Sequence, residues 1–303
     1  RTNILTYSNP QSSSARNWYV NGASITENYA TAPDGTNTAS LVSDNTANQV
    51  HYVSTTNNAH IAETNYTLSV YLKKAPSNAL QNVHVTTHGA STIVVDVFNG
   101  VITSQGNGAR RVGLATIEDV GNGWFRLSAT MNKSQAGDVY ALIGLSDDGN
   151  DTWAGSAIKT VTGNPSNYIY VWGPQAEDKS YATSFIPTSG TTVTRAADKA
   201  KITGTNFTDF HNASEGTLYG EYKSNSEVAP YVVMLSDGTD NNRTIINSNY
   251  SSYQGVVKYN NGTNQAVLDG GTPIANSNNK TTLAFKKDDF ALSLNGAPVA
   301  ADT

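Results

Sequence analysis

The sequence predicts an all-β chain folded as two antiparallel β-sandwiches, and three observations predict it. Apolar and polar residues alternate with a period of two through short runs bounded by Gly, Asn, Asp and Ser. Asn, Ser and Thr together make about a third of the 303 residues; these side chains hydrogen-bond locally and favour turns and strand edges over helix interiors. No window shows a 3.6-residue apolar stripe bounded by caps. Tyr (16) outnumbers Phe (7) more than twofold, and aromatics that keep a hydroxyl suit half-buried strands and wet binding faces.

The elements follow in chain order. In Tyr66–Leu72 the residues Tyr66, Leu68, Val70 and Leu72 share one face, with Thr67, Ser69 and Tyr71 on the other. Ile93–Phe98 is a β-branched run. In Trp124–Met131 the covered face is Phe125, Leu127, Ala129 and Met131, while Arg126, Ser128 and Thr130 point away. Val139, Ala141, Ile143 and Leu145 repeat the pattern, and Tyr168–Trp172 closes the first series. Residues 1–187 therefore read as one sandwich. Residues 188–198 carry small polar side chains without alternation and read as a connector. Residues 199–303 hold a second series: Gly216–Tyr222, Tyr231–Leu235, Thr244–Asn247, Gly255–Tyr259, Thr281–Phe285 and Phe290–Leu294. Asn295-Gly296, ahead of Val299, is the strongest hairpin signal, because both residues tolerate the positive φ of a type I′ turn.

Composition removes several function classes. A net charge of −5 argues against binding a polyanion such as nucleic acid, which needs a basic face. With no cysteine there are no disulfides, thiolate metal sites or thiol nucleophiles. No run approaches the roughly 18 apolar residues of a membrane span. Arg1 to Ser8 lack a signal-peptide pattern and an initial Met, so the expectation is a mature or trimmed chain. The second series stops one strand past its hairpin; an open strand edge leads us to expect further chain after Thr303 or cover from another copy.

The opening Arg1-Thr2-Asn3-Ile4-Leu5-Thr6-Tyr7-Ser8 resembles a segment of bacteriophage tail and tail-fibre proteins. In that family it opens a jelly roll similar to glucan- and xylan-binding carbohydrate modules. Ala32-Pro33-Asp34-Gly35-Thr36, Gly121-Asn122-Gly123-Trp124-Phe125-Arg126, Tyr170 to Glu177 and Tyr181 to Thr188 fit the same pattern. Val193-Thr194-Arg195-Ala196-Ala197-Asp198, Gly216-Thr217-Leu218-Tyr219 and Asp289 to Gly296 resemble the joint and the following concanavalin-like, laminin-G-type sandwich. The family's Tyr-x-Gly-Asp-Gly loop is replaced by Trp153-Ala154-Gly155-Ser156-Ala157, and loops on a fixed scaffold are where specificity resides. The resemblance implies a virion setting, a trimer, other tail proteins as partners, and host cell-surface glycan as the ligand.

Aromatic faces stack on sugar rings while neighbouring amides fix hydroxyls, which makes the four Trp the first candidates. Trp124 and Trp172 lie inside alternating strands and read as packing residues. Trp153 sits in a polar loop and is a ligand-contact candidate. Trp18 and Tyr19 either stack on a sugar or staple the N-terminal segment to the sandwich. Asp147, Asp148, Asn150 and Asp151 form the densest acidic cluster, and with Asp34 they are candidates for a structural Ca²⁺, although the spacing lacks the Ca²⁺-loop order. Composition favours a solvated hairpin tip for the cluster over a Ca²⁺ site, and a plain turn accounts for Asp34 as well. His84 and His88 are four apart, about 13 Å on a strand, which is too far for one ion; His51, His60 and His211 read as ordinary core or surface residues.

Catalytic signatures are absent: no His-Glu-x-x-His, Gly-x-Ser-x-Gly, phosphate loop or dinucleotide fingerprint. No cofactor is required. The reading is a non-enzymatic, adhesive virion protein. Its alternative is a polysaccharide depolymerase or an accessory carbohydrate-binding module, because two glycosidase carboxylates can come from distant strands; Glu221 is one of the few acids inside a predicted strand.

Overall fold

The computed structural model describes residues 1–12, 18–55, 58–59, 65–76, 80–86, 92–105, 111–132, 138–145, 160–196, 200–223, 231–247, 254–274, 277–298 and 300–302. The chain is all-β and antiparallel, and it divides into a unit Arg1–Asp198 and a unit Lys199–Thr303. Among the described residues the only α-helix is the single turn Thr205–Thr208, and no helix is long and apolar enough to cross a membrane.

The first unit is two packed sheets. One runs in the order Thr116–Gly121, Trp124–Asn132, Asn65–Lys74, Tyr168–Glu177, Thr2–Asn3, Val193–Thr194, with Ala39–Asp44 also pairing Tyr168–Glu177 and Ala23–Ala30 lying outside it. The other runs Val101–Gln105, Ile93–Asp96, Asn82–Thr86, Leu142–Gly144, Tyr52–Thr55, Trp18–Asn21. Between them lies the core that the alternation predicts. Leu68, Val70 and Leu72 from one sheet meet Val53, Val83, Val85, Ile93 and Ile143 from the other, all buried. Each such side chain stabilises the fold by about 1.5–3 kcal/mol through area removed from water.

The first sheet is covered on its outer face as well. Trp124 and Trp172 pack there with Tyr71, Ala32 and Ala39 under Phe185. Trp124 donates its Nε1–H to the Thr31 carbonyl at 3.1 Å, and Trp172 donates to Thr38 Oγ1 at 3.0 Å. Both rings are therefore packing residues within this unit.

The described part of the stretch read as a connector is bonded into the first unit. Val193–Thr194 pairs with Thr2–Asn3, Ser189 bridges Tyr7, and the structural division falls after Asp198. The composition of 188–198 signalled a break, but hydrogen bonds to the N-terminal strand give its backbone a partner. Asn3, wholly buried, joins both ends: its Nδ2 donates to Ile186 O, and its Oδ1 accepts from the N–H groups of Leu5 and Ala176.

The second unit is a smaller pair of sheets, Glu215–Lys223, Asn278–Lys286, Asp289–Leu294, Ala300–Asp302 and Tyr231–Ser236, Arg243–Asn247, Gln254–Asn260, Thr263–Asp269. Leu218, Ile246, Leu268, Leu283, Phe285, Phe290, Leu292 and Leu294 form its core. Strict alternation continues through Asn278–Lys286, where Asn279, Thr281, Leu283 and Phe285 point inward. The Asn295-Gly296 turn has φ of 52° and 76°, and Ala297 N–H donates to Leu294 O at 2.8 Å; Val299 lies outside the described residues.

Candidate functional site

Trp18–Asn21 is the edge strand of the second sheet of the first unit, paired only with Tyr52–Thr55. A period of two separates the neighbours Trp18 and Tyr19. Trp18 is 1% exposed and belongs to the core, so its ring cannot stack on a ligand; that part of the expectation is corrected. Tyr19 is 51% exposed. Its ring lies 6.0 Å from that of Tyr52 at an interplanar angle of 32°. Asn21, in register with Tyr52, adds an amide beside the rings. Burial pushes the Tyr52 phenol above its ordinary value, the nearby Tyr19 adds to this, and a hydrogen bond with Asn21 opposes it. Two tilted phenols with an amide beside them match what a sugar ring asks for: an apolar face to cover and hydroxyls to bond.

The pair stands on a rigid junction. Gly22 follows Asn21 at φ +60°, and a Cβ there would meet Val50 O at 2.5 Å and His51 Nδ1 at 2.7 Å, so only glycine fits. The His51 ring is buried, with Nδ1 against Asp44 and 2.8 Å from Gly22 O, and Nε2 3.1 Å from Val161 O. Asp44 accepts from the N–H groups of Asn45 and Asn164 as well. This node ties three chain segments, at Gly22, at Asp44 and Asn45, and from Val161 to Asn164, to the residue just before Tyr52. Of the two ordinary readings the sequence left for His51, core or surface, the structure gives the core one.

The other expectations divide as follows. Trp153, Asp147, Asp148, Asn150, Asp151, His60 and His88 lie outside the described residues. Asp34 accepts from Thr36 N–H at 2.9 Å and Thr36 Oγ1 at 2.6 Å and shapes a turn. Among the described residues no three His, Asp or Glu side chains converge on a metal position. His84 is buried, and the His211 ring stacks on Phe207 at 4.5 Å. Glu221 is exposed and accepts from Tyr219 OH at 3.1 Å.

The buried carboxylates of the first unit are committed to the fold. Glu177 accepts from Gln175 Nε2 (2.6 Å), Thr183 N–H (2.7 Å) and Thr183 Oγ1 (2.6 Å). Asp96 accepts from Gln81, from the Asn99 side chain and from the Phe98 and Asn99 N–H groups. Arg126 donates to Ser69 Oγ and Thr183 O, and its guanidinium lies 5.1 Å from the Tyr71 ring centre. Residues that carry the family resemblance, Trp172, Gln175, Glu177, Thr183 and Phe185, thus fasten the segment after Glu177 across the outer face of the first sheet.

Tyr52 escaped sequence reasoning because its partner lies 33 positions earlier and only strand pairing brings them together. Compared with models of known protein families, the chain matches none. No curated protein sequence matches it either.

Proposed function

We propose that the chain is a non-enzymatic adhesive protein whose first unit contacts glycan through Tyr19, Tyr52 and Asn21. The observation that supports this most directly is the exposed, tilted tyrosine pair held on a rigid sandwich. The motif resemblance supports the setting: the tail of a bacterial virus, with host cell-surface polysaccharide as ligand and further copies or tail proteins as partners. Each aromatic contact is worth about 0.5–1.5 kcal/mol beyond burial, so one copy binds weakly. Several copies on one particle raise the avidity without new chemistry.

The test is a glycan array with the purified chain, followed by a reducing-sugar assay on each polysaccharide retained. The reading expects retention that Tyr19→Ala weakens about tenfold, the cost of about 1.4 kcal/mol, and no sugar release. Release abolished by one acid-to-amide substitution would establish a depolymerase instead.

A further inference from the structure

A second tyrosine pair stands on the other sheet of the first unit. Tyr29 is 54% exposed, and its ring lies 6.0 Å from that of half-buried Tyr170 at 38°. The Tyr19–Tyr52 pair has the same separation and a tilt of 32°. Both pairs have one construction, an exposed tyrosine on an edge strand beside a half-buried tyrosine farther into the sheet.

Local structure explains how Tyr29 reaches this position. The pairing of Ala23–Ala30 with Ala39–Asp44 shifts register between Thr26 and Ala30, which is a bulge. Asn28 within it adopts φ +53°, and its carbonyl accepts Asn37 Nδ2 at 3.0 Å. A bulge re-aims the side chain it carries. The N-terminal segment holds the bulge from outside: Ser12 donates its N–H and its hydroxyl to Glu27 Oε1, each at 3.0 Å.

The backing of Tyr170 is firm. Two residues along its strand, Trp172 packs on Tyr71 at 5.0 Å and on Phe185 at 4.2 Å. Tyr170 itself packs against that buried cluster. Leu41 and Lys73 flank it in register on the neighbouring strands. The phenol of Tyr168, two residues away on the same strand, donates to Pro76 O. The outer face is thus an aromatic strip, buried at Trp172 and open to solvent at Tyr29. Burial raises the Tyr170 phenol above its ordinary value, and the neighbouring Tyr29 and Tyr168 add to it.

We propose that Tyr29 and Tyr170 form a second carbohydrate-contacting surface, on the sheet opposite Tyr19 and Tyr52, so that one copy of the chain grips two stretches of polysaccharide. The ligand class is a chain of pyranose rings whose successive faces twist, as the two tilted ring pairs do. This rests on the glycan reading above and adds bivalency to it. A bivalent monomer cross-links polysaccharide chains, whereas a monovalent monomer only coats them, so turbidity is read on the monomer fraction from gel filtration.

The experiment uses the full chain with three soluble probes, laminarin, arabinoxylan and dextran, measured by affinity electrophoresis and by turbidity on mixing. Wild type should be retarded by at least one probe and should turn it turbid. Tyr29→Ala, at an exposed position, should weaken retardation about tenfold and abolish turbidity. Tyr29→Phe should restore most of both, because it keeps the ring. Tyr19→Ala should also abolish turbidity while leaving retardation that the added Tyr29→Ala removes. Tyr29→Ala with unchanged retardation and turbidity, alongside loss in Tyr19→Ala, overturns the second surface and leaves the glycan reading standing. Wild type retarded by none of the three probes overturns both.

Discussion

Glu177 allows the polar fastening of the first unit to be tested against simple volume filling. The side chain is fully buried and accepts three hydrogen bonds, at 2.6, 2.7 and 2.6 Å. Glu177→Leu keeps the volume and removes every acceptor, stranding the Thr183 N–H and leaving the Gln175 amide only Thr183 O at 3.3 Å and the Thr183 hydroxyl only Ser184 O at 3.4 Å. Each buried donor left unmade costs about 1–3 kcal/mol, so with partial relaxation the sum is about 3–6 kcal/mol. Glu177→Gln is much milder. Its NH₂ can take the position facing Thr183 Oγ1, a hydroxyl that can accept instead, and that hydroxyl then donates toward Ser184 O, 3.4 Å away. Its remaining oxygen keeps the other two donors, so the loss is about 1 kcal/mol, from trading charged for neutral bonds. At about 2–4 °C per kcal/mol for a unit of this size, the Leu variant should melt about 6–24 °C lower and the Gln variant about 2–4 °C lower. Calorimetry of the full chain, following the first unit's transition, reads both. Equal losses in the two variants would refute the donor–acceptor accounting. A Leu variant within 1 °C of the parent, roughly the measurement error, would refute the fastening itself.

Four further outcomes follow from the same structure. Gly163→Ala places a Cβ 1.9 Å from Asn45 O and 2.6 Å from His51 Cε1, so denaturant titration should show a loss of about 1–3 kcal/mol from forced shifts. Gly296→Ala meets no atom within 4 Å but must hold φ +76°, so it should cost about 1–2 kcal/mol through backbone conformation alone. Burial tends to raise the Asp96 carboxyl, but its donors Gln81, Asn99 and the Phe98 and Asn99 N–H groups hold it below the ordinary 3.8. A depressed carboxyl contributes stability that is complete above its unfolded value and disappears as pH falls through its folded value, so melting temperatures between pH 7 and pH 2 should fall less steeply for Asp96→Asn. Burial raises the phenols of Tyr52, Tyr71 and Tyr170 above 10.0; their stabilisation is complete below that value and fades as pH climbs past it, and an absorbance titration should show a late-ionising class that shrinks in Tyr170→Phe.

The strands were legible where one face is covered and the period is purely local. Leu68, Val70 and Leu72 announce themselves because every second residue must leave water. The same rule would have separated Trp18 from Tyr19, since adjacent strand residues point to opposite faces. Second-order features stayed hidden. Trp124 and Arg126 alternate as outward residues, and only distant segments cover them, the stretch from Thr31 to Ala39 over Trp124 and the return after Glu177 over Arg126, contacts between positions more than 50 apart. Tyr29 lies in a bulge, which breaks the period that sequence reading depends on. Neither tyrosine pair can be seen in the sequence, because register between distant strands decides which rings meet.

Adhesion through a few aromatic contacts requires rings that are ordered before the sugar arrives. Every rotamer-rich side chain frozen on binding subtracts about 0.5–1.5 kcal/mol, comparable with what one ring returns. Tyrosine has only two χ angles to lose, and this fold removes most of that freedom in advance. Tyr52 follows the His51–Asp44 node, and Tyr170 lies against the Trp172 cluster. Cysteine-free closure of the first unit rests on buried amides and carboxylates instead, above all Asn3 and Glu177, which bring the segment around Ile186 back onto the N-terminal strand. Loosening that closure should therefore weaken sugar binding without touching a tyrosine. Asn3→Ala, at permissive temperature and with the fold intact by circular dichroism, should lose affinity for a retained polysaccharide together with protection of the Tyr170 strand from amide exchange. Loss of protection with unchanged affinity would show that preorganisation from this end of the sandwich contributes nothing to binding.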